Sequence, residues 1–171
     1  MTTTLTNHGQ PSTAGIYDTV MIELRDQVNT NILIASSKSL LQTNGNVTAN
    51  FAAIPKGYYY IVVKHRSGLE TWSATPALIT NTSSYNFSSA QNKAYGNNQR
   101  EIESGVWAFY SGDVNQDGSI DAFDYVILDP DVINGVSGYL DTVLTGDGFV
   151  DAFDYVLLDA NLIGGIGSIV P

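Results

Sequence analysis

Carboxylates are the chain's densest reactive groups, and they fall at a spacing that suits a hard metal ion. From Asp113 the sequence runs Asp113-Val114-Asn115-Gln116-Asp117-Gly118-Ser119-Ile120-Asp121-Ala122-Phe123-Asp124. Calcium takes six to eight oxygens at about 2.3–2.6 Å, and a twelve-residue loop supplies them from positions 1, 3, 5, 7, 9 and 12. Those positions carry the side chains of Asp113, Asn115, Asp117 and Asp124, the carbonyl of Ser119, and Asp121 acting through water. Gly118 stands where the loop turns too sharply for a Cβ. Ile120 is apolar, as expected of a residue that pairs with its counterpart Val150 and ties two loops together.

The counterpart exists because residues 111–171 repeat with a period of 30 and no gap. Asp117-Gly118 returns as Asp147-Gly148, and the run from Asp121 to Val126 returns as Asp151 to Val156. Leu128-Asp129 returns as Leu158-Asp159. In the second copy the ligand positions hold Val143, Thr145, Asp147, the Phe149 carbonyl, Asp151 and Asp154. Val143 cannot ligate and Thr145 offers only a hydroxyl. Two readings stay open for this loop: weak binding with extra water, or a structural copy held in shape by the first loop. One calcium ion is therefore expected, and a second is undecided.

Each polar loop is followed by a short helix, since Phe123, Val126 and Ile127, and then Phe153, Val156 and Leu157, recur at helical spacing. A single loop-helix unit cannot bury such a face, so the two helices are expected to pack on each other. The spacing, with Asp rather than Glu at position 12, resembles the dockerin type I repeat over about 60 residues. That resemblance implies docking through the helix faces into a cohesin-like receptor, with contacts at Ala122-Phe123 and Ala152-Phe153.

Residues 1–110 have a different character. Residues 1–15 are Thr-rich and read as an extended arm. Residues 16–110 carry short β-prone runs: Thr19 to Arg25, Ile32 to Leu41, Val47 to Ile54, Tyr58 to His65, Thr71 to Ile79, Ser84 to Ser88 and Gly105 to Tyr110. Turn signals stand at Asn44-Gly45 and Pro55-Lys56-Gly57. Seven runs suggest a β-sandwich, and the strand from Ile54 to Val63 resembles one found in prealbumin-like and carboxypeptidase-regulatory-like domains, non-catalytic in those families. The expected organisation is an arm (1–15), an Ig-like or prealbumin-like sandwich (16–110) and a dockerin-like helical repeat pair (111–171), mainly β overall.

Charge separates the same regions. Of the seventeen acidic residues, eleven are aspartates between Asp113 and Pro171, where there is no Glu, Lys or Arg. Such a segment repels nucleic acid and anionic lipid and attracts cations. No run of residues is long and apolar enough to span a bilayer. Cysteine is absent, which excludes disulfides and thiolate metal sites. The Thr, Ser, Asn and Tyr content points to an extracellular, cell-surface setting, with the export signal removed from the start.

Nothing reads as an active site. His8 and His65 are the only histidines, and no hydrolase, zinc-protease or nucleotide-binding motif appears. Trp72, Trp107 and the tyrosines at 58–60 offer a carbohydrate-stacking platform as a third-ranked alternative to sheet packing. The expected function is a non-enzymatic, calcium-stabilised subunit of a surface fibre or adhesin. Its arm would add a strand to a neighbour's open sheet edge. Docking of a larger secreted protein to a cohesin-like receptor is the alternative.

Overall fold

The computed structural model describes residues 15–171; residues 1–14 of the expected arm, His8 among them, lie outside the described residues. Among the described residues seven strands and two α-helices follow in order: β1 (Ile16–Asp26), β2 (Leu33–Gln42), β3 (Gly57–His65), β4 (Gly68–Trp72), β5 (Ala77–Ile79), β6 (Arg100–Glu103), β7 (Val106–Ala108), α1 (Ala122–Asn134) and α2 (Ala152–Leu162), with two short 3-10 turns (Gln91–Lys93 and Tyr95–Asn97) between β5 and β6. The protein is mainly β, with antiparallel sheets.

β1 to β5 form one sheet in the order β2-β1-β3-β4, with β5 pairing the first half of β3. The alternation read in β1 fixes its register. Ile22 lies opposite Val63 and Leu24 opposite Ile61, so the apolar set of both strands shares one face. On that face Val20, Ile22 and Val63 pack with Val47, Phe51, Phe87 and Phe109. The other face is charged around Val62: Glu23 pairs with Arg25 at 2.6 Å, and Lys64 reaches Glu70 at 3.0 Å.

Not every expected strand forms. The run from Val47 to Ile54 makes a single bridge, Val47 to Leu41, although Val47, Ala49 and Phe51 alternate into the apolar face as a strand would. It covers the sheet rather than extending it. The run from Ser84 to Ser88 is taken by an Asx turn, in which Asn86 Oδ1 accepts from the Ser88 amide at 2.9 Å. Thr71 to Ile79 breaks at Ser73 to Pro76 into β4 and β5. The charged run Arg100–Glu103 forms β6, a strand that hydrophobic alternation gave no reason to expect. A five-stranded sheet and a two-stranded β6–β7 hairpin thus replace the anticipated seven-stranded pattern.

The repeat helices begin where the aspartates dictate. Asp121 caps α1 by accepting from the Phe123 amide at 2.8 Å, while Asp124 reaches back to the Asp121 amide at 2.9 Å. Asp151 and Asp154 repeat this at α2. Gly135, at φ 58°, ends α1 in the left-handed conformation.

Two expectations about this region need correction. The buried stripe of each helix is not the Phe-Val-Ile face: it is Asp124 and Leu128 on α1, and Asp154, Leu158 and Asn161 on α2. Phe123 is 68% exposed and Phe153 69%, and Val126 and Val156 are exposed beside them. The helices do meet, through Leu128, Leu158 and the stacked rings of Tyr125 and Tyr155, 5.4 Å apart. Nor do the loops pair with each other. The Ile120 amide donates to the Ile166 carbonyl and the Val150 amide to the Val136 carbonyl. Each loop therefore pairs with the segment that follows the other loop's helix, and Ile120 and Val150 share only the apolar core.

Candidate metal loop and helix face

The first loop is built on Asp124. Its side chain is fully buried; Oδ1 accepts from the Val114 and Asn115 amides at 2.7 and 3.2 Å, and Oδ2 accepts from Asp121. Those bonds fold the loop back onto the first turn of α1. Asn115 Oδ1 accepts from the Asp117 amide and Asp117 Oδ1 from the Ser119 amide, both at 2.9 Å. Asn115 also donates its amide to Asp117 Oδ2 at 2.8 Å. Asp121 is committed to the helix cap. The expected ligand residues Asp113, Asn115, Asp117, Ser119, Asp121 and Asp124 thus lie on one tight turn. Among the described residues, however, no three carboxylate or imidazole side chains are gathered as a ready cage.

Asp113 is the residue whose state calls for a cation. It is 2% exposed; Oδ2 accepts from the Gly118 amide at 3.2 Å, and Oδ1 is buried with no partner. Burial, reinforced by repulsion from Asp124, pushes its carboxyl up to about 6. An ionised oxygen left unpaired inside a protein costs more than the roughly 1–3 kcal/mol of a neutral group. A divalent ion on Asp113 would remove that penalty, so the donor chemistry of this loop fits calcium.

The second loop has the same fold and a different centre. Asp154 Oδ1 accepts from the Leu144 and Thr145 amides at 2.8 and 2.9 Å, and Oδ2 accepts from the Asp151 amide at 2.9 Å. Asp147 accepts from the Phe149 amide at 2.9 Å, and Asp151 from Phe153 at 2.8 Å. At position 1, Val143 is wholly buried in the core with Leu128, Val150 and Leu158. Thr145 Oγ1 is buried without a partner. This donor set, lacking the first carboxylate, does not fit the ion as the first loop does.

Outside the loops, a cluster that sequence reasoning missed joins the sheet to the repeats. Asp18, 0% exposed, accepts from Tyr139 at 2.5 Å and from the Arg66 Nε at 3.2 Å, with His65 Nε2 at 3.0 Å. Burial alone would raise Asp18, but the hydrogen bonds from His65 and Tyr139 and the charges of His65 and Arg66 outweigh it and bring the carboxyl down to about 2. Ser67 Oγ lies 3.2 Å from His65 Nδ1. The series Ser67–His65–Asp18 has the members of a nucleophilic triad with the two ring nitrogens exchanged, and Ser67 is 3% exposed. It is a joint, not a nucleophile. Its only trace in the sequence is one acid near the start of β1, too little to find it.

Of the aromatic residues considered for carbohydrate, Trp72 and Tyr59 are buried, Tyr60 and Trp107 half-buried and Tyr58 exposed. Trp72 is buried against Tyr60 in edge contact at 5.9 Å, and Tyr60 meets Tyr95 in the same manner at 6.2 Å. Tyr59 is buried as well, while Tyr58 is exposed. Trp72 therefore offers no open ring face.

No family model matches this sequence, and no curated protein is similar to it. Among solved structures, the chain is similar to one in a C-terminal interface mutant of a type II cohesin–X-dockerin complex from Acetivibrio cellulolyticus. That match covers 99% of this chain and 90% of the other, at 16% identity and a TM-score of 0.51. A chain of the N-terminal interface mutant of the same complex type, from the same organism, matches over 84% of this chain and 80% of that one, at 16% identity and a TM-score of 0.49. At this level of identity the shared feature is the fold.

Proposed function

We propose that the protein is a non-enzymatic, extracellular assembly module whose C-terminal repeat pair, stabilised by one calcium ion in the first loop, docks into a protein receptor through the outer faces of α1 and α2. The observation that carries this reading is the duplicated exposed apolar face. Phe123, Val126, Ile127 and Ile133 on α1, and Phe153, Val156 and Ile163 beside or on α2, stand in solvent although a buried stripe was available to them. Clustered exposed apolar side chains mark interaction sites rather than stable free surface. The resemblance of the loops to dockerin repeats, and a fold shared with a chain from a cohesin–X-dockerin complex, agree with a receptor of the cohesin kind.

In this reading Asp113, Asn115, Asp117, Ser119, Asp121 and Asp124 hold the ion. Calcium would supply charge neutralisation among carboxylates that otherwise repel. The protein's own bonds from Asp124 and Asp121 already set the start of α1, so Ala122-Phe123 is presented in a fixed orientation at the end of the loop. Cell-surface proteins are captured with the calcium-loaded chain and with a Phe123→Asp, Phe153→Asp double variant. A protein retained by the first in calcium, released by chelator and absent from the second is the expected result. Equal retention by both chains would refute the face.

A second assembly mode, strand addition into a fibre, is favoured by one observation. Among the described residues β2 is an edge strand, the covering segment 46–51 reaches it at Leu41 and Ser37, and no described strand pairs the outer side of Leu33 to Ser36. Removing residues 1–14 should abolish filaments seen by electron microscopy if a neighbour's arm fills this edge. Unchanged filaments would exclude the arm.

A further inference from the structure

We propose that the second loop is not a metal site but a socket in which the sheet domain is seated, with Arg66 and Tyr17 holding the shape that an ion would otherwise hold. The proposal goes beyond calcium binding by the first loop and does not require it.

Three observations carry it. At the first ligand position Val143 turns its side chain into the core and leaves its carbonyl facing the sheet domain. There Arg66 Nη2 donates to it at 3.5 Å, and Nη1 donates to the Leu140 carbonyl. The guanidinium lies 4.7 Å over the Tyr139 ring and is itself held by Asp18, which Tyr139 also reaches. A fixed positive charge thus stands at the mouth of an acidic loop, attached to the protein.

Position 4 of the loop supplies the second observation. Gly146, at φ 74°, lies so close to the Tyr17 hydroxyl that a Cβ there would sit 1.9 Å from its oxygen. A side chain there would push the tyrosine hydroxyl out of this seat, and the positive φ itself favours glycine. In the first loop the same position is Gln116, also at positive φ, which sends its own side chain outward to the Gly68 carbonyl at 3.2 Å. Both loops contact the sheet domain at position 4, one by reaching out and the other by receiving.

Third, every backbone bond that shapes the first loop through Asp124 recurs in the second through Asp154, at 2.8 to 2.9 Å, without a carboxylate at position 1. The loop's form does not depend on that ligand. The unmet Thr145 hydroxyl is neutral, and its cost is smaller than that of the ionised Asp113 oxygen.

The test combines calcium stoichiometry with amide hydrogen exchange on the intact chain. Titration to millimolar calcium should fill one site. In chelator the Leu144, Thr145 and Asp151 amides should stay protected while Val114, Asn115 and Asp121 exchange faster. Arg66→Met should speed exchange of the Leu144, Thr145 and Asp151 amides by at least about tenfold, with or without calcium. If that variant fails to fold, Tyr17→Leu gives the same readout. A second bound calcium, second-loop protection lost on chelation, or exchange indifferent to both substitutions would overturn the socket. Zero calcium bound would count against the first loop alone, since exchange still decides the second.

Discussion

Asp113 and Val143 occupy the same place in two copies of one loop, and the difference between them sets the chemistry of the molecule. The Asp113 Oδ1 oxygen is buried and unpaired, the state that a cation would relieve in the proposed function, while the methyl pair of Val143 joins the core. Asp113→Ala should lower calcium affinity by more than about 100-fold, beyond the usual cost of losing an outer-sphere partner, measured by calorimetric titration. Asp18 gives a separate prediction in pH. Its folded pKa, about 2, lies below the ordinary 3.8, so its ionised form stabilises the folded protein. That stabilisation, roughly 2 kcal/mol, is complete above about pH 4 and is lost as pH falls from there through 2. Asp18→Asn should flatten that part of the acid-denaturation curve. The turn that gathers the candidate ligand residues was legible because their spacing is local, whereas the Asp18 joint was not, because its partners lie 47 to 121 residues away.

The helices show how far a periodic pattern can be trusted. Their existence and 30-residue repeat were written in the sequence, but the face they bury was not. The stripe that faces inward contains an aspartate, which satisfies backbone amides, and so looks polar to any hydrophobic count. The stripe left outside is apolar because, in the proposed function, a partner covers it. Phe123→Asp and Phe153→Asp should therefore change unfolding free energy by no more than about 0.5 kcal/mol. Leu158→Ala, on the fully buried stripe, should cost about 2–5 kcal/mol in denaturant unfolding. The sheet teaches the same lesson from the other side. Val47 to Phe51 alternate like a strand because they cover an apolar face, and a pattern of burial does not distinguish cover from ladder.

At the scale of the whole molecule, the composition and charge boundary near residue 112 suggests a sheet region that outlives the repeats when calcium is removed. The packing contradicts independence. Leu69 of β4 lies in the core formed by Val114, Ile120, Leu128 and Leu158. Gln116 donates to the Gly68 carbonyl at 3.2 Å, Gly112 donates to Ser67, and Asn98 reaches the Gly167 carbonyl at 2.9 Å. A core shared across a boundary unfolds together, so sheet and repeats should melt in one transition. Ligand at about 100 times its dissociation constant adds about 2.7 kcal/mol to the folded state. For a chain of this size that is a rise of roughly 5–10 °C.

Differential scanning calorimetry of the intact chain in millimolar calcium and in chelator is the most direct test of a single ion locking this shared core. One transition that falls by several degrees on chelation, with no such shift in Asp113→Ala, is the predicted result. A melting temperature indifferent to chelator, or a sheet transition that stays in place while only the repeats melt early, would contradict it.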